Sequence, residues 1–367
     1  MSVRISKPRC LNAKNMPSVA ERVFEDKPIF TFKRLFHAFQ QLRNEKKAPG
    51  PDKITFESKD VGYWESYIRT LAWLIKKKLY SPGPTREIRI EKPSGGQRSL
   101  QVPNHRDKIP QRACLNVLNE LVDSIFLDWS YGFRPRRNHV MCLEKVRELY
   151  GQGFKYACCY DITNAFDSVI VRKLLRIVEG LNLNNEITYL AKAIILGFKP
   201  ERLVGLNQGE SLSGLLFNLY THHLHDIEMA KIESPHARIL RYADDLIVLG
   251  ASKEAVDNLT HISISTLRDN NLVCKKEETV CLEDKGLDYL GLTLTSDGTT
   301  INFDLTKPLW ASLDQSLEEA HSHPDPVSQI NLTLKGWKQA THLVTWTEEH
   351  ERHLNELLWK HGLLQTP

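Results

Sequence analysis

The chain has 367 residues, 41% of them hydrophobic, with a formal net charge of +4 at pH 7. That is enough apolar material for a large core and predicts two or three domains. No run of about 18 apolar residues occurs, so no membrane span is expected, and residues 1–15, with four basic side chains but no apolar stretch, do not read as a secretion signal. The seven cysteines show no Cys-x-x-Cys spacing, which points to free thiols in a reducing cytoplasm. The distribution of charge says more than its sum. Arg86, Arg89, Lys92, Arg98, Arg106, Lys108 and Arg112 are opposed in their stretch only by Glu87, Glu91 and Asp107, and Arg134, Arg136 and Arg137 form a second cluster. Such runs are either solvated faces or surfaces for the phosphates of nucleic acid or nucleotide.

Helical periodicity covers residues 30–47 and is broken by Ala48-Pro49-Gly50-Pro51-Asp52. A second amphipathic helix is predicted over 63–79. Residues 88–90 and 98–102 flank Ser94-Gly95-Gly96-Gln97, the pattern of a hairpin with a glycine-rich turn. Helices follow over 109–126 and 138–150, then an apolar strand over 156–160 that ends at Asp161. On such a strand Cys158 and Cys159 face opposite ways. Residues 171–178, 185–196 and 213–230 read as helices. Ile239-Leu240, the tetrapeptide Tyr242-Ala243-Asp244-Asp245 and Leu246-Ile247-Val248-Leu249 read as strand, tight turn and strand. Residues 253–270 are predicted helical, 287–295 strand-rich, and two or three helices fill 305–367. Strands and helices alternate without a Gly-x-Gly-x-x-Gly, which favours α+β over a doubly wound sheet.

Asp-Asp is an ordinary turn former. It is also what a polymerase joining nucleotides needs, carboxylates held rigidly enough to share two divalent metals. Asp161 alone reads more readily as a helix or turn cap, which is commoner than metal ligation. Taken together, the strand end and the hairpin tip can lie side by side and converge three acids, with Asp161 and Asp244 bridging the metals and Asp245 supporting them.

In the order of its blocks the chain resembles the reverse transcriptase family, specifically the bacterial branch related to group II intron proteins. Lys47-Ala48-Pro49-Gly50-Pro51-Asp52 is similar to the first fingers block, Lys92-Pro93-Ser94-Gly95-Gly96-Gln97-Arg98 to the second, and Tyr131-Gly132-Phe133-Arg134-Pro135-Arg136-Arg137 to the third. Asp161 to Asp167 resembles motif A, Gly205-Leu206-Asn207-Gln208-Gly209 motif B, and Tyr242 to Asp245 motif C. Leu287-Asp288-Tyr289-Leu290-Gly291-Leu292 resembles the primer-grip block, and Lys335-Gly336-Trp337 lies where the family's thumb carries a similar Gly-Trp. Any one block is a weak signal; their order is specific.

The resemblance implies an α+β right-hand polymerase with an N-terminal extension (1–28), fingers with part of the palm (29–130), a palm with motifs A, B, C and the primer grip (131–300) and an α-helical thumb (301–367). The implied reaction is RNA-directed DNA synthesis, attack of a 3′-hydroxyl on the α-phosphate of a dNTP. It would be carried by Asp161, Asp244 and Asp245 with two Mg²⁺ ions, the backbone carbonyl of Ile162 completing the ligands. Mg²⁺ suits a set of hard oxygens. By the same resemblance Lys92 and Arg98 contact the triphosphate, and Phe166 is the bulky gate against a ribose 2′-hydroxyl, with a core aromatic as the other reading of this Phe. Gln208 and Gly209 lie beside the nascent base pair, and Arg134, Arg136 and Tyr242 bind nucleic acid. The implied partners are dNTPs, an RNA template or non-coding RNA, the DNA product, and a companion protein or a second copy of the chain; no membrane is involved and the setting is cytoplasmic.

Three departures qualify this. Motif B usually reads Gln-Gly-Ser-Pro-Leu-Ser-Pro, and here it reads Gln208-Gly209-Glu210-Ser211-Leu212-Ser213-Gly214. Glu210 therefore points to a base edge, pairs with a basic residue or faces solvent, the last two carrying most weight. In motif D, Lys275 and Lys276 lie near the expected lysine while Glu278 occupies its slot, so no general acid is assigned. No endonuclease or added DNA-binding module fits after the thumb, which points to compact stand-alone members, among them antiphage-defence enzymes that work with a non-coding RNA or companion protein. The alternatives are a group II intron-type reverse transcriptase or maturase without its endonuclease module, and a non-catalytic RNA-binding scaffold. His222, His223 and His225, with His350 and His353, read as surface or template-facing residues rather than a zinc site. Trp337, Trp346 and Trp359 read as packing residues.

Overall fold

The computed structural model describes residues 28–45, 48–91, 97–199, 201–232 and 234–363. In chain order the elements are α1 (Phe32–Arg43), α2 (Val61–Lys76), β1 (Thr85–Glu91), β2 (Gln97–Pro103), α3 (His105–Val122), α4 (His139–Gly151), β3 (Tyr156–Ile162), α5 (Val171–Gly180), α6 (Asn185–Leu196), α7 (Ser213–Thr221), a π-helical turn (His222–Asp226), α8 (Ile227–Ala230), β4 (Ala237–Tyr242), β5 (Asp245–Gly250), α9 (Lys253–Arg268), β6 (Cys274–Lys276), β7 (Val280–Cys281), β8 (Leu287–Tyr289), β9 (Leu292–Ser296), β10 (Ile301–Leu305), α10 (Lys307–His321), α11 (Pro326–Ala340) and α12 (Glu348–Lys360). The mixed α+β class is the one expected. Two compact units emerge: residues 1–86, 101–127 and 170–220, and residues 87–100, 128–169 and 221–367.

The first unit is helical. α1 buries Leu35, Ala38, Phe39 and Leu42, a stripe at helical spacing. Asp60 caps α2 by accepting from the Tyr63 amide at 2.8 Å, and Phe39 packs on the rings of Phe56 and Trp64 at 5.5 and 5.7 Å. α3 begins at His105, earlier than the expected 109. Its first turn is built from buried polar side chains, His105, Asp107 and Lys108, which apolar periodicity cannot detect. Tyr80 donates to Asp107 at 2.9 Å, and Lys108 donates to the Ala48 carbonyl at 2.7 Å. The Asp52 amide donates to the Asn104 side chain at 3.1 Å. A β-carbon on Gly50 would meet the Asn104 backbone nitrogen at 2.5 Å, so the Pro-Gly-Pro segment needs its glycine for close approach.

The second unit is built on an antiparallel sheet in the order β4-β5-β3-β6, with β7 also pairing β3. Alternation sends Ala157, Cys159, Ile247 and Leu249 to the face that joins α4 through Cys142, Leu143 and Val146. The other face packs on α9. Both Cys158 and Cys159 are buried because both faces of β3 are covered, and the six described cysteines are free thiols. A three-stranded antiparallel sheet, β10-β9-β8, adjoins this core and leads into α10, α11 and α12. Trp310, Trp337 and Trp346 pack mutually at 5.2–6.5 Å. Trp337 is buried, as a packing residue should be, whereas Trp359 is exposed.

The predicted 213–230 helix is one continuous helical run, but its middle turn is π-helical over His222–Asp226. His222 and His225 are buried there, which overturns their reading as surface or template-facing residues. Among the described residues no helix is long and apolar enough to cross a membrane.

Candidate active site

The second unit brings the three predicted acids together through strand register. On β3, Asp161 stands directly opposite Asp245 of β5, and Tyr242, the last residue of β4, is also paired with Asp245. Directly opposite residues share a face with β-carbons about 4.5–5.5 Å apart, so Asp161 and Asp245 project together from the α4 side of the sheet. Asp244 sits in the turn, and its carbonyl accepts from the Ile162 amide at 3.0 Å, tying the turn to the end of β3. Ala243 adopts a left-handed backbone, φ 58°, which the tight strand-to-strand turn requires.

These carboxylates feel one another. Burial, then the charges of Asp244 and Asp161, push Asp245 up to about 7. Burial also raises Asp244; its own backbone amide and Arg98 act in the opposite direction, and Asp161 adds to the rise. Arg98 is thus close enough to Asp244 to matter electrostatically. Among the described residues no group of three His, Cys, Asp or Glu side chains forms a ready metal cage. The donor chemistry nevertheless fits a hard divalent cation: three carboxylate side chains at one strand end, two of them raised by burial and, beyond that, by neighbouring acid charge that a cation would relieve.

Phe166 lies on a short 3₁₀ turn, Phe166–Ser168, just beyond the strand. It is half-buried, neither a core aromatic nor a free one, and meets the ring of Phe133 edge-on with centroids 6.0 Å apart. The loop carrying Phe133 is bound to the end of β4 and the turn that follows it. Arg241 donates its amide to the Trp129 carbonyl and accepts from the Tyr131 amide, each at 2.9 Å. A β-carbon on Gly132 would meet the Ala243 nitrogen at 2.3 Å.

Other predicted residues separate. Arg134 is buried and donates to the Ser130 carbonyl at 2.9 Å. Arg136 is exposed with φ 62°, and Arg137 pairs with Asp128 at 2.9 Å. In the first basic stretch, Arg89 pairs with Glu87, Arg106 with Asp52 and Arg112 with Glu45, so part of that charge is neutralised within the protein. Lys92 lies outside the described residues. Gln208 and Gly209 belong to the first unit; the Gln208 carbonyl accepts from the Gln101 amide at 2.7 Å, and Gly209 has φ 96°. Glu210 is partly buried and sits within reach of the Arg202 charge. Its carboxylate accepts from the Asn207 amide group at 2.8 Å, and Asn207 in turn accepts from Arg202 at 2.7 Å.

The residues sequence reasoning missed are Arg241, Asp226 and Phe133. Arg241 had a visible signal, a cation directly after the apolar Ile239-Leu240 pair and one residue before the tetrapeptide. Asp226 had none, because only folding brings its helical turn to Arg241.

A sequence profile described as reverse transcriptase (RNA-dependent DNA polymerase) matches residues 90–294, more than half of the chain. An uncharacterized 91 kDa protein in the cob intron of Schizosaccharomyces pombe is 32% identical over 43% of this chain and 20% of its own length. The group II intron-encoded protein LtrA of Lactococcus lactis is 29% identical over 51% of this chain and 32% of its own length. The chain therefore spans a third or less of these two relatives. Among solved structures, telomerase from Candida tropicalis, determined with a fragment of telomeric RNA, superposes with a TM-score of 0.49 at 13% identity, covering 84% of this chain and 60% of that one. With the profile spanning motifs A, B and C and the strand register aligning Asp161 with Asp245, the chain belongs to the reverse transcriptase family, related to group II intron proteins.

Proposed function

We propose that the protein is an RNA-directed DNA polymerase that extends a 3′-hydroxyl with dNTPs. The observation that carries this reading is the register of β3 and β5, which delivers Asp161, Asp244 and Asp245 to one strand end. Asp161, Asp244, Asp245 and the Ile162 carbonyl would hold two Mg²⁺ ions. When bound, these ions lower the pKa of the attacking hydroxyl and neutralise charge on the triphosphate. The protein's own part is to keep the acids rigid: β3 and β5 are buried strands, and the Asp244 turn is hydrogen-bonded to Ile162. Arg98 would meet the triphosphate, a cation suited to polyphosphate. Phe166, half-buried after motif A, would exclude a ribose 2′-hydroxyl; a nucleotide role for Lys92 and Gln208, and a nucleic-acid role for Gly209, Arg136 and Tyr242, rest on the resemblance alone. The fingers, palm and thumb division at 29–130, 131–300 and 301–367 is part of the same proposal.

The test is labelled-dNTP incorporation by protein purified with its bound RNA in the presence of Mg²⁺, followed by product sequencing. Metal-dependent DNA synthesis that disappears in Asp244→Ala/Asp245→Ala supports the reading. Well-folded, RNA-bound protein that makes no DNA argues for a scaffold. A narrower proposal places the enzyme in antiviral defence with a non-coding RNA or companion protein, checked by phage plaque counts with and without the acids. The relationship to group II intron proteins favours a second reading, a maturase, which retained intron splicing activity in the same acid variants would reveal.

A further inference from the structure

We infer that Phe133 is a positioning residue for Phe166, and that the two rings together set the sugar selectivity of the nucleotide site. This rests on the polymerase reading above. The two rings meet edge-to-face, 6.0 Å between centroids and 79° between planes, the geometry aromatic pairs prefer. Phe133 remains 47% exposed, so burial alone does not explain a large aromatic here. Its backbone lies in the left-handed region, φ 53°, which is unfavourable for a bulky side chain and persists only where the surroundings fix it.

Those surroundings are the catalytic turn itself. Residues 129–131 bracket Arg241 through two backbone hydrogen bonds of 2.9 Å, and Gly132 lies against the Ala243 backbone too closely for any side chain. Arg134, on the far side, is anchored to the Ser130 carbonyl. The loop thus holds Phe133 in a strained conformation beside the turn that carries Asp244, with its ring against Phe166 five residues beyond Asp161. A gate against one hydroxyl works only if its ring cannot yield by an ångström or so, since an extra small group in an apolar pocket is otherwise worth little discrimination. Phe133 supplies that stop.

The experiment measures kcat/KM for each dNTP and its matching rNTP on a DNA primer annealed to an RNA oligonucleotide, with the full chain, alongside Tm. Phe166→Ala is expected to raise the rNTP-to-dNTP ratio most. Phe133→Leu is expected to raise it about two- to tenfold, the range an aromatic pair accounts for, and Phe133→Tyr to restore discrimination. Phe133→Gly removes the ring while relieving the left-handed backbone, so it should relax discrimination without lowering Tm. Phe133→Leu added to Phe166→Ala should have no further effect. An unchanged ratio in Phe133→Leu and Phe133→Gly, with a raised ratio in Phe166→Ala, overturns the inference and leaves the polymerase reading standing. An unchanged ratio in Phe166→Ala overturns the gate and the inference with it, and a wild-type protein that uses neither nucleotide removes the reading beneath both.

Discussion

Arg241 and Asp226 form an ion pair in which neither side chain has exposed surface, and the same guanidinium donates to the carbonyl of Ala243 at 3.0 Å, one residue before Asp244. Arg241 also donates to the Ser130 hydroxyl at 2.9 Å, while Asp226 receives His225, whose other ring nitrogen meets Ser263 at 2.7 Å. Ser263 is in turn bonded to Tyr160 on β3 at 2.7 Å. The π-helical turn, α9, β3 and the turn between β4 and β5 are thereby joined by one buried polar chain.

Breaking one side of this pair leaves an uncompensated buried charge. Arg241→Met should cost roughly 3–5 kcal/mol of stability, and Arg241→Met/Asp226→Leu should recover part of that. Burial acts to raise the Asp226 pKa, but Arg241 and His225 outweigh it and hold the carboxyl well below the usual range. A depressed carboxyl stabilises the fold above its unfolded value of about 3.9 and loses that contribution as pH falls further. Urea unfolding at pH 7 and at pH 3 checks both points. Wild type should lose stability in acid, and Arg241→Met should show a smaller pH difference.

Asp245 predicts the opposite slope. Burial and its acidic neighbours push it up to about 7, so in metal-free protein the folded state keeps a proton that the unfolded chain gives up. That contribution is full below about pH 4 and is lost as pH rises towards 7. Mg²⁺ should therefore raise Tm more at pH 8 than at pH 5. Asp245→Asn should stabilise the metal-free protein at pH 8 and shrink the Mg²⁺ response. Thermal melts with and without Mg²⁺ at both pH values provide the check.

The strand, turn and strand around residues 239–249 were legible because apolar runs flank a turn former, and motif order gave the family. Register was not legible: nothing in the sequence says that Asp161 pairs with Asp245 rather than with a neighbour, and a one-residue slip would turn Asp161 to the other face. The early start of α3 and the buried His222 and His225 were missed for a common reason. Polar side chains that find partners inside the protein look, in sequence, like surface. Arg134 is a further buried polar side chain of this kind, bonded to the carbonyl of Ser130 in its own loop.

Register also separates two lysines that the sequence could not. Lys275 stands opposite Asp161 on the face of the acids, whereas Lys276 pairs with Asp257 at 3.1 Å. If a side chain protonates the leaving pyrophosphate, Lys275 is placed to do it. Lys275→Gln should lower the rate of incorporation by about 10²-fold or more. Lys276→Gln should leave it nearly unchanged. Single-turnover incorporation distinguishes them.

Glu210 offers a cleaner pH test, away from the acids. Burial pushes it up to about 7 against the opposing pull of Asn207, Arg202 and Gln111, with Asp107 adding to the rise. The folded state thus prefers the protonated acid, and stability from this site is present below about pH 4 and lost as pH rises through 7. Glu210→Gln keeps a hydrogen-bonding head group for Asn207 and removes the charge. The variant should match wild type near pH 4 and exceed it in Tm at pH 8, with the gap opening between the two. Because Glu210 is engaged through Asn207 with Arg202, the sequence of the DNA product should be the same for Glu210→Gln and wild type. A changed product would mean that this carboxyl leaves Asn207 during synthesis to contact a base.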